Sequence, residues 1–212
     1  MEKVFWLEKW RNNEIGFHNR EVHPLLVQHV PCLNLSQGDR LFLPLCGKTL
    51  DIAWLLEKGY RVAGAELSES AVIQLFDQLA INPRVTDLGA LKKYHSDDVE
   101  MFVGDIFDLT GSALGPVDAI YDRAALVALP AHTRQTYTQQ LHNLTASARQ
   151  LLISFEYDQA RLAGPPFCVN GEEIRQLYAD GYTIELLSSV AVAGGLKGQV
   201  AAMEQVWHLQ PR

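Results

Sequence analysis

The sequence predicts an α/β fold, a mostly parallel sheet with helices on both faces. Three observations carry this expectation. Short apolar runs alternate with segments whose apolar residues recur at helical spacing. The first run, Arg40-Leu41-Phe42-Leu43-Pro44-Leu45, is apolar nearly throughout, as a strand buried on both faces should be. Residues that start or stop helices, such as Gly59, Ser68 and Asn170, fall between the segments.

The elements follow in order. Glu2 to Arg11 carries Val4, Phe5, Leu7 and Trp10 in a short amphipathic helix pattern. Asn19 to Val30 reads as a second helix, although His23-Pro24 argues against an uninterrupted start. Strand one covers Arg40 to Leu45 and ends near Pro44; Thr49 to Lys58 is helical, stopped by Gly59. Arg61 to Leu67 is strand two. Ser68 then caps a helix to about Leu79, whose apolar face is Ala71, Val72, Leu75, Phe76 and Leu79. Val99–Val103 and Val117–Tyr121 read as strands three and four, Pro130–Leu144 as a helix, and Gln150–Tyr157 as strand five. Glu172–Ala179 is a helix capped by Asn170, and Tyr182–Val192 with Glu204–Leu209 form a closing antiparallel pair. Asn82 to Asp98 shows no clear motif. The 212 residues make one domain, with residues 1–30 as a helical lid belonging to it and residues 31–212 as its body.

Composition narrows the function classes. A net charge of −7 argues against a broad cationic surface for nucleic acid. Cys32, Cys46 and Cys168 are few and widely spaced, with no paired C-x-x-C; they suggest a reducing compartment and no metal site. The seven histidines are scattered, and neither H-E-x-x-H nor G-x-S-x-G occurs. No apolar run is long enough to span a bilayer, and Met1 to Trp6 lacks a signal core, so a cytoplasmic location without a membrane partner is the default.

In such sheets ligands sit beyond the carboxyl ends of the strands. That rule brings four places to one edge: Leu45-Cys46-Gly47, Glu66, Gly104-Asp105 and Asp122-Arg123. Gly47 permits a tight turn and close backbone approach, or is an ordinary strand-to-helix glycine. Glu66, about twenty residues further on, suits ribose hydroxyls; a surface glutamate is the other reading. Asp105 either binds adenine, with Ile106 packed on the ring, or caps a helix. Arg123 either binds a carboxylate or orients an electron-rich substrate, or is a structural group together with Asp122. Phe5, Trp6, Trp10 and Phe17 would form an aromatic lid if the amino-terminal segment closed over this edge, or else anchor a helix to the core.

Taken together, these segments resemble the thiopurine S-methyltransferases, especially the bacterial members. The resemblance runs through Phe5-Trp6, Lys9-Trp10, Ile15-Gly16-Phe17-His18, Pro44-Leu45-Cys46-Gly47-Lys48, Leu50-Asp51 and Gly64-Ala65-Glu66-Leu67-Ser68. It continues through Asp105-Ile106-Phe107, Tyr121 to Pro130, Tyr157-Asp158 and Gly164-Pro165-Pro166-Phe167. It weakens at Ala191 to Gly198, small residues where relatives often carry charge.

The resemblance implies a Rossmann-like, seven-stranded methyltransferase fold and S-adenosylmethionine as methyl donor, leaving S-adenosylhomocysteine. By analogy Trp10, Leu45, Glu66 and Arg123 bind the donor, joined by Trp6, Asp105 and Ile106. Phe17 faces the thiopurine, and Arg123 also touches substrate. Acceptors would be aromatic thiols, thiopurines and selenium or tellurium species. Direct in-line transfer to a thiolate or selenolate needs no general base; Asp122 is read as structural and Cys46 as a small buried residue rather than a methyl carrier. A monomer is expected. Two other classes stand beside this one: a non-catalytic adenosylmethionine-binding sensor, and a nicotinamide-dependent oxidoreductase, against which the missing G-x-G-x-x-G argues.

Overall fold

The computed structural model describes residues 3–212; Met1 and Glu2, the outer end of the expected lid, lie outside the described residues. The first helix, α1, spans Lys3–Arg11, and α2 spans Pro24–His29. The expected helix from Asn19 is thus shorter, because proline occupies its first turn and His23 caps it. The sheet and its helices follow as β1 Arg40–Pro44, α3 Asp51–Glu57, β2 Arg61–Glu66, α4 Glu69–Gln78, β3 Arg84–Asp87, β4 Lys92–His95 and β5 Val99–Val103. Then come α5 Gly111–Leu114, β6 Ala119–Arg123, α6 Ala131–Thr145, β7 Arg149–Tyr157, α7 Gly171–Tyr178, β8 Tyr182–Ala191 and β9 Ala202–Pro211.

The strands form one nine-stranded sheet in the order β3-β4-β5-β2-β1-β6-β7-β9-β8. This corrects the expected seven-stranded, mostly parallel sheet. Only the central strands β5-β2-β1-β6-β7 pair in parallel; β3 and β4 add an antiparallel hairpin on one edge, and β9 with β8 add antiparallel strands on the other. The two extra strands come from the segment without a motif. Arg84-Val85-Thr86-Asp87 is exposed throughout and Lys92-Lys93-Tyr94-His95 has no fully buried residue, so neither carries an apolar signature.

Strand alternation explains why both faces are covered. Phe42 on β1, Ala63 on β2, Phe102 on β5, Ile120 on β6 and Leu152 on β7 point to one face, against Leu114, Tyr137, Leu141, Ile174 and Tyr178 of α5, α6 and α7. Their neighbours Leu41, Leu43, Val62, Met101, Tyr121 and Ile153 point to the other, against Leu26, Ile52, Leu55, Val72 and Phe76 of α2, α3 and α4. Each of the large apolar side chains fully buried in these layers contributes about 1.5–3 kcal/mol. Helix starts are fixed by side chains: Ser68 accepts from the Ala71 N–H (3.4 Å) and Asn170 from the Glu173 N–H (3.0 Å).

The chain leaves β1 toward β2 and later returns to its other side as β6, so strand order reverses between them. A crevice opens at such a point beyond the carboxyl ends of the strands. That position sets the location of the site.

Candidate functional site

A cleft of about 1100 Å³ lies over the carboxyl ends of the central strands. That is room for a nucleoside-containing molecule and a small second ligand. All eight residues that the resemblance assigns to donor or acceptor, Trp6, Trp10, Phe17, Leu45, Glu66, Asp105, Ile106 and Arg123, line it.

The floor is built by the turn after β1. Leu45 (φ 48°) and Gly47 (φ 57°) both take left-handed backbone, which folds the chain sharply away from the sheet. Glu66 at the end of β2 holds this turn. Its Oε2 accepts from the Gly47 N–H and its Oε1 from the Ser68 N–H, each at 2.8 Å. The carboxylate is buried, not a surface group. Burial pushes its pKa up, and the N–H groups of Ser68, Gly47 and Leu67 pull against that shift. Each oxygen keeps a second lone pair for a hydroxyl donor.

At the end of β5, Asp105 does what a cap does: its Oδ1 accepts from the Phe107 N–H at 3.0 Å. Its Oδ2 meets Lys3 Nζ of α1 at 2.6 Å, an exposed ion pair between lid and body. Ile106 is buried beside it and supplies an apolar wall.

Residues Asp122 and Arg123 part company because successive strand residues face opposite ways. Asp122 is fully buried, accepts from Tyr137 Oη (2.7 Å) and the Leu126 N–H (3.1 Å), and does not line the cleft. Burial pushes its pKa up to about 6. Arg123 enters the cleft and donates to the Phe17 carbonyl and to Asn19 Oδ1, both at 3.0 Å. It ties β6 to the segment after α1.

The amino-terminal aromatics cluster at the cleft. Phe17 stands edge-on to Trp6 and Trp10 with ring centroids 5.6 and 5.5 Å apart, and Phe5 packs edge-on to Trp6 at 5.2 Å. Trp10 lies against the glycine turn so closely that a Cβ on Gly47 would stand 2.8 Å from its ring. The Cys46 thiol lies 3.9 Å from the Ala65 carbonyl, and burial with nearby Glu66 pushes its pKa up, which suits packing rather than nucleophilic work.

Sequence reasoning missed a polar chain on the far wall. Tyr121 Oη donates to Asp51 Oδ2 (3.1 Å), Asp51 Oδ1 accepts from the His23 N–H (2.8 Å), and His23 Nε2 meets Glu204 Oε1 at 3.1 Å. All four residues line the cleft. His23 and Glu204 are 181 positions apart, and no local pattern signals such a pairing. Val192, Leu196 and Lys197, from the divergent segment, also reach the cleft; Lys197 Nζ donates to the Pro165 carbonyl at 2.6 Å. No group of three or more His, Cys, Asp or Glu that could hold a metal ion occurs among the described residues.

A family model described as thiopurine S-methyltransferase matches residues 1–210. The chain is 52% identical to a thiopurine S-methyltransferase of Xanthobacter autotrophicus, over 99% of each chain. The chain belongs to the thiopurine S-methyltransferase family. A second relative, from Gluconobacter oxydans, is 45% identical over 98% of this chain and 94% of its own length. Among solved structures, the Burkholderia thailandensis 1,6-didemethyltoxoflavin-N1-methyltransferase, with S-adenosylhomocysteine bound, superposes with a TM-score of 0.68 at 16% identity, covering 99% of this chain and 87% of that one. The fold is thus that of the Rossmann-like methyltransferases, here with a mixed sheet. As a member of this family the chain is an S-adenosylmethionine-dependent methyltransferase.

Proposed function

We propose that the cleft holds adenosylmethionine over β2, β1 and β5 and passes its methyl group to the sulfur of a thiopurine or other aromatic thiol entering from the β6 side. The observation that carries this reading is the convergence of Glu66, Arg123 and the Trp6–Trp10–Phe17 lid on one cleft at the strand reversal. Glu66 has open lone pairs for ribose hydroxyls, Ile106 an apolar surface for adenine with Asp105 at its edge, and Leu45 and Gly47 bring backbone close to the donor.

Bound there, adenosylmethionine supplies an electrophilic methyl on a cationic sulfur. The chain's own residues do the rest. The aromatic lid offers π faces to the cation and keeps water out. Phe17 faces the flat heterocycle of the acceptor, and Arg123, braced by Phe17 and Asn19, fixes the angle between acceptor and donor. A thiolate needs no protein base, and the enclosed position of Asp122 supports leaving it out of the chemistry. Selenium and tellurium species are soft nucleophiles that the same lid would accept.

Residues 1–30 act as the lid of this single unit, which works as a monomer. Among the described residues no helix is long and apolar enough to cross a membrane. With all three cysteines unpaired, a reducing cytoplasmic setting is the reading we adopt.

The test is transfer from labelled adenosylmethionine to a panel of aromatic thiols, with selenite and tellurite in parallel, for the wild type and Arg123→Ala. Transfer to the thiols that falls at least tenfold in Arg123→Ala is the expected result, one charge-assisted contact being worth about that much. Tight donor binding by calorimetry with no transfer to any acceptor would favour the sensor instead.

A further inference from the structure

The polar chain on the far wall has no part in the reaction described above, yet it ends in the cleft. Glu204 lies on β9, opposite Phe155 of β7. From β2, which carries Glu66, the sheet runs through β1, β6 and β7 to β9, four steps of about 4.8 Å each. Glu204 therefore stands at the acceptor end of the cleft, about 19 Å across the sheet from the ribose side.

Its carboxylate is held on one side only. The Leu25 N–H donates to His23 Nδ1 at 3.3 Å, so Nδ1 is the acceptor nitrogen of the ring and the proton sits on Nε2. Nε2–H then donates to Glu204 Oε1 at 3.1 Å. His23 is itself fixed by its backbone bond to Asp51, which Tyr121 secures in turn. No other described group hydrogen-bonds to the Glu204 carboxylate, and the side chain keeps 18% of its surface exposed. Oε2 is left without a described partner, and Glu204 lines the cleft together with the apolar Ile153, Phe155, Val192 and Leu196.

An acceptor of that kind has a use in this reaction. Heteroaromatic thiols exist largely as thiones, with the proton on the ring nitrogen next to the C=S carbon. We propose that Glu204 receives this ring N–H and takes its proton during methyl transfer, and that His23 is its positioning residue. The inference rests on the functional reading above and names its acceptor class: thiones that carry a ring N–H. In the step, a lone pair on the thione sulfur forms the bond to the methyl carbon. The carbon–sulfonium bond breaks, its pair staying on the donor sulfur, which becomes a neutral thioether. The N–H bond breaks toward Glu204 Oε2, its electron pair restoring the aromatic ring as the thione C=S becomes a C–S single bond. The proton then leaves to solvent. Sulfur methylation makes the ring N–H strongly acidic, so transfer to a carboxylate is downhill once the methyl group moves. A benzenethiolate has no such proton and gains nothing from Glu204.

Glu204→Gln separates this role from a structural one. The amide carbonyl still accepts from His23, so the brace between α2 and β9 survives, while the open position becomes a donor facing a donor. We compare kcat/KM for pyridine-2-thione, which carries the N–H, with that for benzenethiol, and check folding and donor affinity by calorimetry. The ratio of the two values should fall about tenfold or more, the worth of one hydrogen bond to a charged group. A ratio unchanged within about twofold, whether both values fall or neither does, overturns the proposal and leaves the functional reading standing. A wild type that methylates neither acceptor overturns both. Should Glu204→Gln not fold, Glu204→Asp, which withdraws the carboxylate by one methylene, must lower the same ratio; an unaltered ratio there rejects the proposal equally.

Discussion

Replacing Glu66 with glutamine removes a charge while keeping the shape, and the structure assigns it two separable consequences. The carboxylate accepts one backbone N–H on each oxygen, from Gly47 and from Ser68. A glutamine satisfies one of these and turns an NH2 toward the other. A buried donor left without an acceptor costs about 1–3 kcal/mol. Burial disfavours the ionised glutamate, so losing the charge recovers part of that cost. The net loss is about 1–2 kcal/mol, which lowers Tm by about 2–8 °C in a chain of this size. The donor's ribose also loses a charged acceptor, about 1.5–3 kcal/mol for one hydrogen bond, or roughly tenfold to a hundredfold in Kd. Thermal unfolding of the free protein reads the first effect and calorimetric titration with adenosylmethionine the second. An unchanged Tm would refute Glu66 as the brace of the glycine turn; an unchanged affinity would refute its ribose role.

Two further substitutions probe the surroundings. Asp122 has its pKa raised from 3.8 to about 6. Its contribution to stability is therefore full below pH 3.8 and lost as pH rises through about 6, where ionisation of the buried group costs about 3 kcal/mol. Asp122→Asn should gain about that much relative to the wild type between pH 3.5 and pH 7.5 in urea unfolding; a pH-independent difference would contradict it. Gly47→Ala places a methyl 2.8 Å from the Trp10 ring at a φ of 57°, strain of about 1–2 kcal/mol that pushes the ring off the turn. Adenosylmethionine should bind several-fold more weakly by calorimetry, and wild-type affinity would count against Trp10 as part of the donor's wall.

The central strands and the four strand ends were legible because β/α alternation is written in local periodicity, and the ligand edge follows from topology. The β3–β4 hairpin was not, since its residues bury almost nothing and pair only because β5 offers an edge. Glu66 was found through its spacing from Gly47, but the two hydrogen bonds it accepts from backbone N–H groups are a feature of how the two turns meet. Asp122 and Arg123 are neighbours at one strand end, and only the family resemblance separated a structural Asp122 from a site Arg123. The alternation of side chains along β6 sends one to the core and the other to the cleft. His23 and Glu204 belong to the chain's two ends, and nothing short of the assembled sheet brings them together.

The central claim, methyl transfer to sulfur in this cleft, is tested most directly by the same transfer assay with the product's methyl group located. Purine-6-thione and adenosylmethionine carrying a carbon-13 methyl are incubated with the enzyme, and the label is assigned by NMR. The account predicts label on sulfur alone, with one equivalent of S-adenosylhomocysteine formed per methyl group. Label on a ring nitrogen, or no transfer despite saturating donor, would contradict it.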